Sequence, residues 1–438
     1  MALYPFIIKP LEHVFSSEYS ALHKPPTFSD WPSFNVRVDE KRIVKRWGWD
    51  TVYRDAGDDE NIMGMSLFKK YDGTIYHLFL TATDLCSVET GAGETFSYKT
   101  KTADINTAVK SISGATVTFK ASTVADTVDI VAGDKFILDV DHSAKVEPDV
   151  HWATVKTVTT AGGYHTAIEL TANYGGTTGD WTGAEKDCLV RNVYSLPAGE
   201  RWSYCVVDDK FCFGNGNTIV QAWTGANYAG QVETAGTYTE KARYLIEYAH
   251  RLCLLDVYTD GARTPWTFRF SKNGDAADWT DVSAGETDFK DTKEYFYGCG
   301  KVDSRIVLFK ERAYHIGYRT GQAEDPFQFP TYKPGVGSAA RDGVVQIQGT
   351  VTWLAHDDFY ILRGDEAVSI GAPIRKKFFE LVKQGELPYV WSAYNYLHRE
   401  ALWFADTSEG QLCFCWNSVT GDWQTYSFSE YITAAGEM

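Results

Sequence analysis

A chain of 438 residues with 15% aromatic content and fourteen tryptophans carries the apolar material for a large packed core, which excludes an intrinsically disordered protein. Its formal net charge of −16 makes the surface as a whole repel nucleic acid, which excludes a general DNA- or RNA-coating protein. The eight cysteines lie in apolar stretches without metal-ligand spacing, and no Asn-X-Ser/Thr acceptor occurs, so the composition predicts reduced core thiols, no metal or other cofactor, and synthesis in a cytoplasm.

Leu11, Val14, Phe15, Tyr19 and Leu22 recur at near-helical spacing before Pro25 and Pro26, so residues 1–30 read as an arm with a short helix. The apolar run at its start is interrupted by Pro5, Lys9 and Pro10, too short for a signal peptide or a membrane span, so no membrane insertion is expected. Phe34 to Arg46 reads as a hairpin, its basic KRIVKR segment alternating like a strand with one solvated face. Met63 to Lys70, Ile75 to Thr81 and Leu85 to Glu89, with a turn at Asp72-Gly73, open a β-sheet.

After Gly91-Ala-Gly93 the character changes: aromatics thin out and Thr and Ala rise from Ser97 to Asn192. Short strands are expected at Ala115 to Phe119, Thr127 to Val131, Lys135 to Val140, Trp152 to Thr159 and His165 to Leu170, making a small SH3-like β-barrel inserted into the first sheet. Between two of them, Asp139, Asp141, His142, Glu147, Asp149 and His151 resemble hard-metal ligands, but no turn glycine and no bidentate Glu stand where a calcium loop needs them. A solvated acidic loop is the reading.

Trp202 to Trp223, Lys241 to Phe270 and Tyr295 to Tyr318 each read as strands of a further sheet. The fullest unit is Val344 to Gly371. Val344 to Gln348, Val351 to Leu354, Phe359 to Leu362 and Ala367 to Ile370 are strands, and the gaps between them hold turn formers too short for a helical crossover. Ala372 to Leu387 then reads as an amphipathic helix on the rim, with Pro373 early, Ile374, Phe378, Leu381 and Val382 on one side, and Gly385 at its end. A last four-strand unit runs from Trp391 to Phe428, with Cys413 and Cys415 on one face.

A four-stranded meander cannot bury both its faces alone, and its recurrence at roughly forty residues falls in the range of propeller repeats. The expected fold is therefore all-β: a β-propeller of about six blades over residues 31–96 and 193–438, with the inserted small β-barrel at 97–192. A toroid needs its ends joined, and Phe34 to Arg46 against the C-terminal unit is the expected closure.

No constellation of nucleophile, metal ligands or acid and base has diagnostic spacing, and no Gly-X-Ser-X-Gly elbow occurs, so a non-enzyme is expected. Gly298-Cys299-Gly300 does not open a helix and is not a phosphate cradle. The turn from Ser271 to Trp279 lacks the Asp and Gly positions of an aspartate box. The alternative is a glycan-binding or glycan-degrading propeller, since the many Trp and carboxylates could line a sugar groove.

The ordered set KRWGW from Lys45, Ala242-Arg243-Tyr244 before Arg251 to Leu255, Trp266 to Ser271 with Gly274-Asp275 and Asp278-Trp279, Leu308 to Ile316, Pro334 to Gly337, and Trp416-Asn417 to Trp423 resembles the propeller proteins of short-tailed phage tails, the tail hub or nozzle family also called packaged-DNA stabilisation proteins. The insertion, with Val131 to Asp134, Trp152 to Val155 and Ile168 to Gly179, is similar to the small barrel those proteins often carry. The resemblance implies a virion structural protein: a homo-oligomeric ring, expected to be a hexamer, below the portal and adaptor ring and in contact with tail fibre or needle proteins. It implies too that DNA passes through the lumen without specific binding. An acidic lumen lets DNA pass without adhering, and the acidic turns Asp208-Asp209, Asp357-Asp358 and Asp365-Glu366 are the candidate lining.

Overall fold

The computed structural model describes residues 36–39 and 42–45 and most of the chain from 62 to 435, the longest exceptions there being 90–96, 140–152 and 232–240. The chain is all-β. Six four-stranded antiparallel meanders follow one another. Their first strands are Gly64–Lys69 (sheet I), Ser203–Val207 (II), Ala242–Tyr248 (III), Phe296–Val302 (IV), Val344–Ile347 (V) and Trp391–Asn395 (VI).

The order of burial along each meander explains how they stack. First strands are only partly buried, and in Phe296–Val302 and Val344–Ile347 every second residue is buried. The second strand of sheet IV, Arg305–Lys310, is buried at every position but the first, and that of sheet III, Arg251–Thr259, at every position but the last two. A strand buried on both faces needs a sheet on each side, which is why RLCLLDV and RIVLFK read as near-continuous apolar runs.

The neighbours are the adjacent meanders. Phe68 and Leu78 of sheet I pack with Phe211 and Trp223 of II, Val207 of II with Leu254 of III, and Phe268 of III with Leu308 of IV. Phe309 of IV packs with Trp353 of V, and Phe359 of V with Trp403 of VI. Cys413 and Cys415 share a buried face with Trp391 and Phe404.

The seam between the last and first sheets is bridged by the C-terminal segment. Ile432 and Ala435 pack on sheet VI, while the Thr433 hydroxyl donates to the Ile62 carbonyl at 2.7 Å. The Gln411 amide exchanges two hydrogen bonds with the Ile432 backbone, at 2.7 and 2.9 Å, in the manner of a strand neighbour. Val36–Asp39, paired with Arg42–Lys45, lies beside Trp423–Ser427, the outer strand of sheet VI. Among the described residues, Val36–Asp39 and the C-terminal segment both contact the last sheet, and the C-terminal segment, which the sequence reading overlooked, also reaches sheet I.

Between sheets I and II runs a seven-stranded sheet with its own core of Val109, Val117, Phe136, Ile168 and Val190, to which, among the described residues, none of the six meanders contributes. It returns on itself. Thr102–Ser113 pairs with Lys186–Arg191 along its first part and with Thr116–Phe119 along its end. Ser97–Tyr98, expected in the insertion, instead pairs with Leu85–Glu89 as the fourth strand of sheet I, so the change of sheet falls at Thr102. Two polar-rich residues give too little pattern to assign. The strand expected at Thr127 to Val131, the acidic loop after Asp139 and the helix of the first thirty residues lie outside the described residues. Because the two cores share nothing, replacing residues 102–191 by a short Gly/Ser linker is expected to leave the six-sheet body folded, with a melting temperature within a few degrees of the parent. Loss of the cooperative transition would mean that the cores are coupled.

The helix after sheet V is Arg375–Leu381, and a 3₁₀ segment, Gln384–Tyr389, runs through Gly385 where the sequence predicts a stop. It is not a rim element. Ile374 and Phe378 are fully buried, and the Phe378 ring meets Phe359 and Phe414 edge-on at 4.9 Å each, wedged between sheets V and VI.

Two-residue hairpins join the first and second strands of sheets II and III, with Asp208-Asp209 and Ala249-His250 all at positive φ between 46° and 58°. Asp tolerates this conformation, whereas Ala and His gain nothing from it. Converting Ala249-His250 to Asn-Gly is expected to raise the unfolding free energy by about 1–2 kcal/mol, read from urea denaturation. The turn's own hydrogen bonds, His250 N–H to the Glu247 carboxylate at 2.9 Å and Gly274 N–H to the His250 carbonyl at 2.7 Å, use backbone groups of residue 250 that Gly retains.

Candidate functional site

The first strands of the six sheets meet around one cavity of about 230 Å³, to whose lining each contributes, among them Gly64, Tyr204, Leu245, Cys299, Val344 and Ser392. Glycine is needed where these inner edges close on one another. A Cβ on Gly298 would stand 2.8 Å from Val344 Cγ2, and one on Gly300 2.4 Å from Val351 Cγ1. The Gly-Cys-Gly segment is thus a packing device within a strand.

At the end where the first strands begin, charged side chains from sheets II, III and V converge. Glu200, in the turn leading to sheet II, forms an ion pair with Arg243 of sheet III and another with Arg341 before sheet V, Nη1 to Oε1 at 3.0 Å. Arg243 also donates Nε–H to the Tyr244 hydroxyl at 3.1 Å. The Arg201 guanidinium lies 3.9 Å from the centre of the Trp391 ring, which stacks on Phe404 at 4.0 Å with only 6° between planes. Both faces of that indole are thereby covered.

Asp342 stands at the same mouth. Its carbonyl accepts from the Ser392 hydroxyl at 2.7 Å, and it forms a parallel bridge with Trp391. Its carboxylate has no hydrogen-bond donor among the described residues, and burial raises its pKa above the usual carboxylate value against the pull of Arg243 and Arg201. The cavity's thiol and the Tyr204 phenol are held neutral. Burial pushes the Cys299 thiol to about 12 and raises the Tyr204 phenol. Such a site binds through charge and hydrogen bonds and presents no thiolate at neutral pH.

The acidic turns lie elsewhere, and the structure does not bring them together. Asp208-Asp209 and Asp365-Glu366 occupy first and third turns of their meanders, whereas Asp357-Asp358 occupies a second turn, at the other end of the sheets. Asp208, Asp357 and Glu366 are exposed. Asp358 is a correction: it is only 2% exposed and cannot line a lumen. It accepts from the Phe359 N–H at 2.8 Å, the Ser369 hydroxyl at 2.5 Å and Arg375 Nη1 at 3.1 Å, fastening the turn to the helix that follows.

Others of the six fasten adjacent sheets. Asp209 accepts from the Tyr71 N–H at 2.8 Å, Asp365 pairs with Arg305 and accepts from the Tyr318 hydroxyl at 3.1 Å, and Glu366 pairs with Lys333 at 2.5 Å. The mouth cluster was missed because Glu200, Arg243, Arg341 and Asp342 are scattered along the chain, each just before or at the start of a strand, where a single charge reads as solvated.

No protein-family model matches the chain, and no curated protein matches it. Among solved structures it is similar to AztD from Citrobacter koseri (10% identity over 81% of this chain and 82% of that one, TM-score 0.32). It is similar also to virginiamycin B lyase from Staphylococcus aureus (8%, 86% and 90%, TM-score 0.34) and to PorZ, a surface component of the type-IX secretion system of Porphyromonas gingivalis (10%, 85% and 39%, TM-score 0.33). At these TM-scores none of the three bears on what the chain does.

Proposed function

We propose that the chain is a non-enzymatic wall unit of a short-tailed phage tail, a six-bladed propeller that assembles as a hexameric nozzle or hub ring below the portal and adaptor. The observation that carries this reading, beside the resemblance of the ordered strand and turn motifs, is how little space the first strands leave where they meet. A cavity of about 230 Å³ is far too small for a DNA duplex, so in this reading the channel lies between copies. Charged ties across neighbouring sheets, Lys301 to Glu247 at 2.8 Å and Lys210 to Asp275 at 3.2 Å, suit a body that transmits load rather than opens. With a net charge of −16, the exposed Asp208, Asp357 and Glu366 remain available to an acidic lumen, whereas Asp358 does not.

A glycan reading gains no support at Trp391, the tryptophan at the cavity mouth, because Arg201 and Phe404 occupy the faces on which a sugar would stack. Negative-stain imaging of the purified full-length chain tests the proposal, with closed rings of six copies as the expected result. A monomer at every concentration, or turnover of a host polysaccharide abolished by one carboxylate substitution, would overturn it.

A further inference from the structure

We propose that the tip of sheet VI docks on a zwitterionic phospholipid bilayer, lowering Leu397 and Val419 past the headgroups while Arg399 meets lipid phosphate. This goes beyond the structural role and does not depend on the ring. Leu397, in the first turn of the sheet, is 83% exposed, and Val419, in its third turn at the same end, is 65% exposed, with Tyr396 half-exposed next to Leu397.

Hydrogen bonds hold this display in place. Asn417 Oδ1 accepts from the Val419 and Thr420 N–H groups at 2.9 and 3.0 Å, and its amide donates to the His398 carbonyl at 3.3 Å. Ser418 donates both its N–H and its hydroxyl to the Arg399 carbonyl, at 2.9 Å each. Arg399 itself stands at φ 54°, a conformation in which a long side chain persists only where its surroundings fix it. The two turns are thus locked to each other, and their apolar apices do not fold back onto the sheet. A single exposed Leu or Val needs no account, but two fixed on joined turns present one apolar tip.

Charge and area say what covers it. At this end the turns of sheets I to V carry the carboxylates Asp72, Asp208, Asp278, Asp303 and Asp365. At the tip of sheet VI the two acids, Glu400 and Asp422, are buried, which leaves Arg399 as the exposed charge of residues 395–400 and 417–422. With a net charge of −16 the chain as a whole is repelled by an anionic membrane, so a zwitterionic surface, which offers phosphate without that field, is the complement. Three side chains on turn apices expose at most a few hundred Å², against the roughly 800 Å² that each partner buries in a stable protein interface. A bilayer needs no matching pocket: it takes leucine and valine among its acyl chains while tyrosine and arginine stay at the headgroups.

The test is flotation of the full-length chain with phosphatidylcholine vesicles over a range of lipid concentrations, beside the double variant Leu397→Asp, Val419→Asp and the single variant Arg399→Gln. Expected is saturable flotation of the parent, at least tenfold weaker in the double variant and severalfold weaker in Arg399→Gln, with melting temperatures unchanged because the replaced side chains are exposed. No flotation of the parent at any lipid concentration, or undiminished flotation of the double variant, would overturn the proposal. A sedimentation coefficient that falls in the double variant while lipid binding does not would assign the tip to a contact between copies and overturn it as well.

Discussion

Replacing Glu200 by alanine is expected to lower the unfolding free energy by about 3 kcal/mol, the lower end of what breaking a buried ion pair costs. Glu200 is the shared partner of Arg243 and Arg341, whose side chains are 12% and 34% exposed. Its removal leaves Arg243 sheltered from water with the Tyr244 hydroxyl and the charge of Asp342 as remaining partners, and frees Arg341, which being a third exposed recovers part of its hydration. The loss should appear as a lower urea midpoint with little change in slope, because the surface exposed on unfolding is unaltered. Glu200→Gln, which keeps the shape and one set of hydrogen bonds without the charge, should fall between parent and alanine. A change below about 1 kcal/mol for the alanine variant would mean that the triad behaves as a surface ion pair and does not tie sheets II, III and V.

The second large effect is at the seam of sheets V and VI. Trp403→Ala is expected to cost about 3–5 kcal/mol, the range for deleting a large buried aromatic side chain. Trp403 is fully buried, with its ring 4.9 Å from Phe359 and 5.6 Å from Trp423, and its indole N–H donates to the Gly343 carbonyl at 3.0 Å. Alanine opens a cavity that strands on both sides hold apart, and it removes a donor to a backbone oxygen left with the long 3.4 Å bond from Leu354 N–H. Trp403→Phe, which refills most of the space, should recover more than half of the loss. Equal destabilisation by both variants would assign the effect to the hydrogen bond rather than to packing.

What was legible in the sequence follows from how local each determinant is. Sheet V was readable almost residue by residue, because short turns carrying Gly349, Asp357-Asp358 and Gly364 punctuate runs of β-branched and aromatic residues. Thr102–Ser113 was not, since TADINTAVKSIS has weak hydrophobes in alternation and serves two partners in succession. The helix was read from its apolar stripe, but its burial depends on Phe359 and Phe414 from two different sheets. Asp358 looked like its exposed neighbour Asp357, and only the fold brings Arg375 and Ser369 to it. The mouth cluster is the extreme case, built from charges that no spacing rule joins. The C-terminal segment that meets sheet I through Thr433 belongs with it.

The most direct measurement is a cryo-electron microscopy map of the particle that carries this chain. The expected result is six copies ringed about the tail axis below the portal and adaptor, with the DNA path running between copies past exposed acidic turns such as Asp208, Asp357 or Glu366. A map with no density for the chain in the tail, or with a basic wall facing the DNA path, would contradict it.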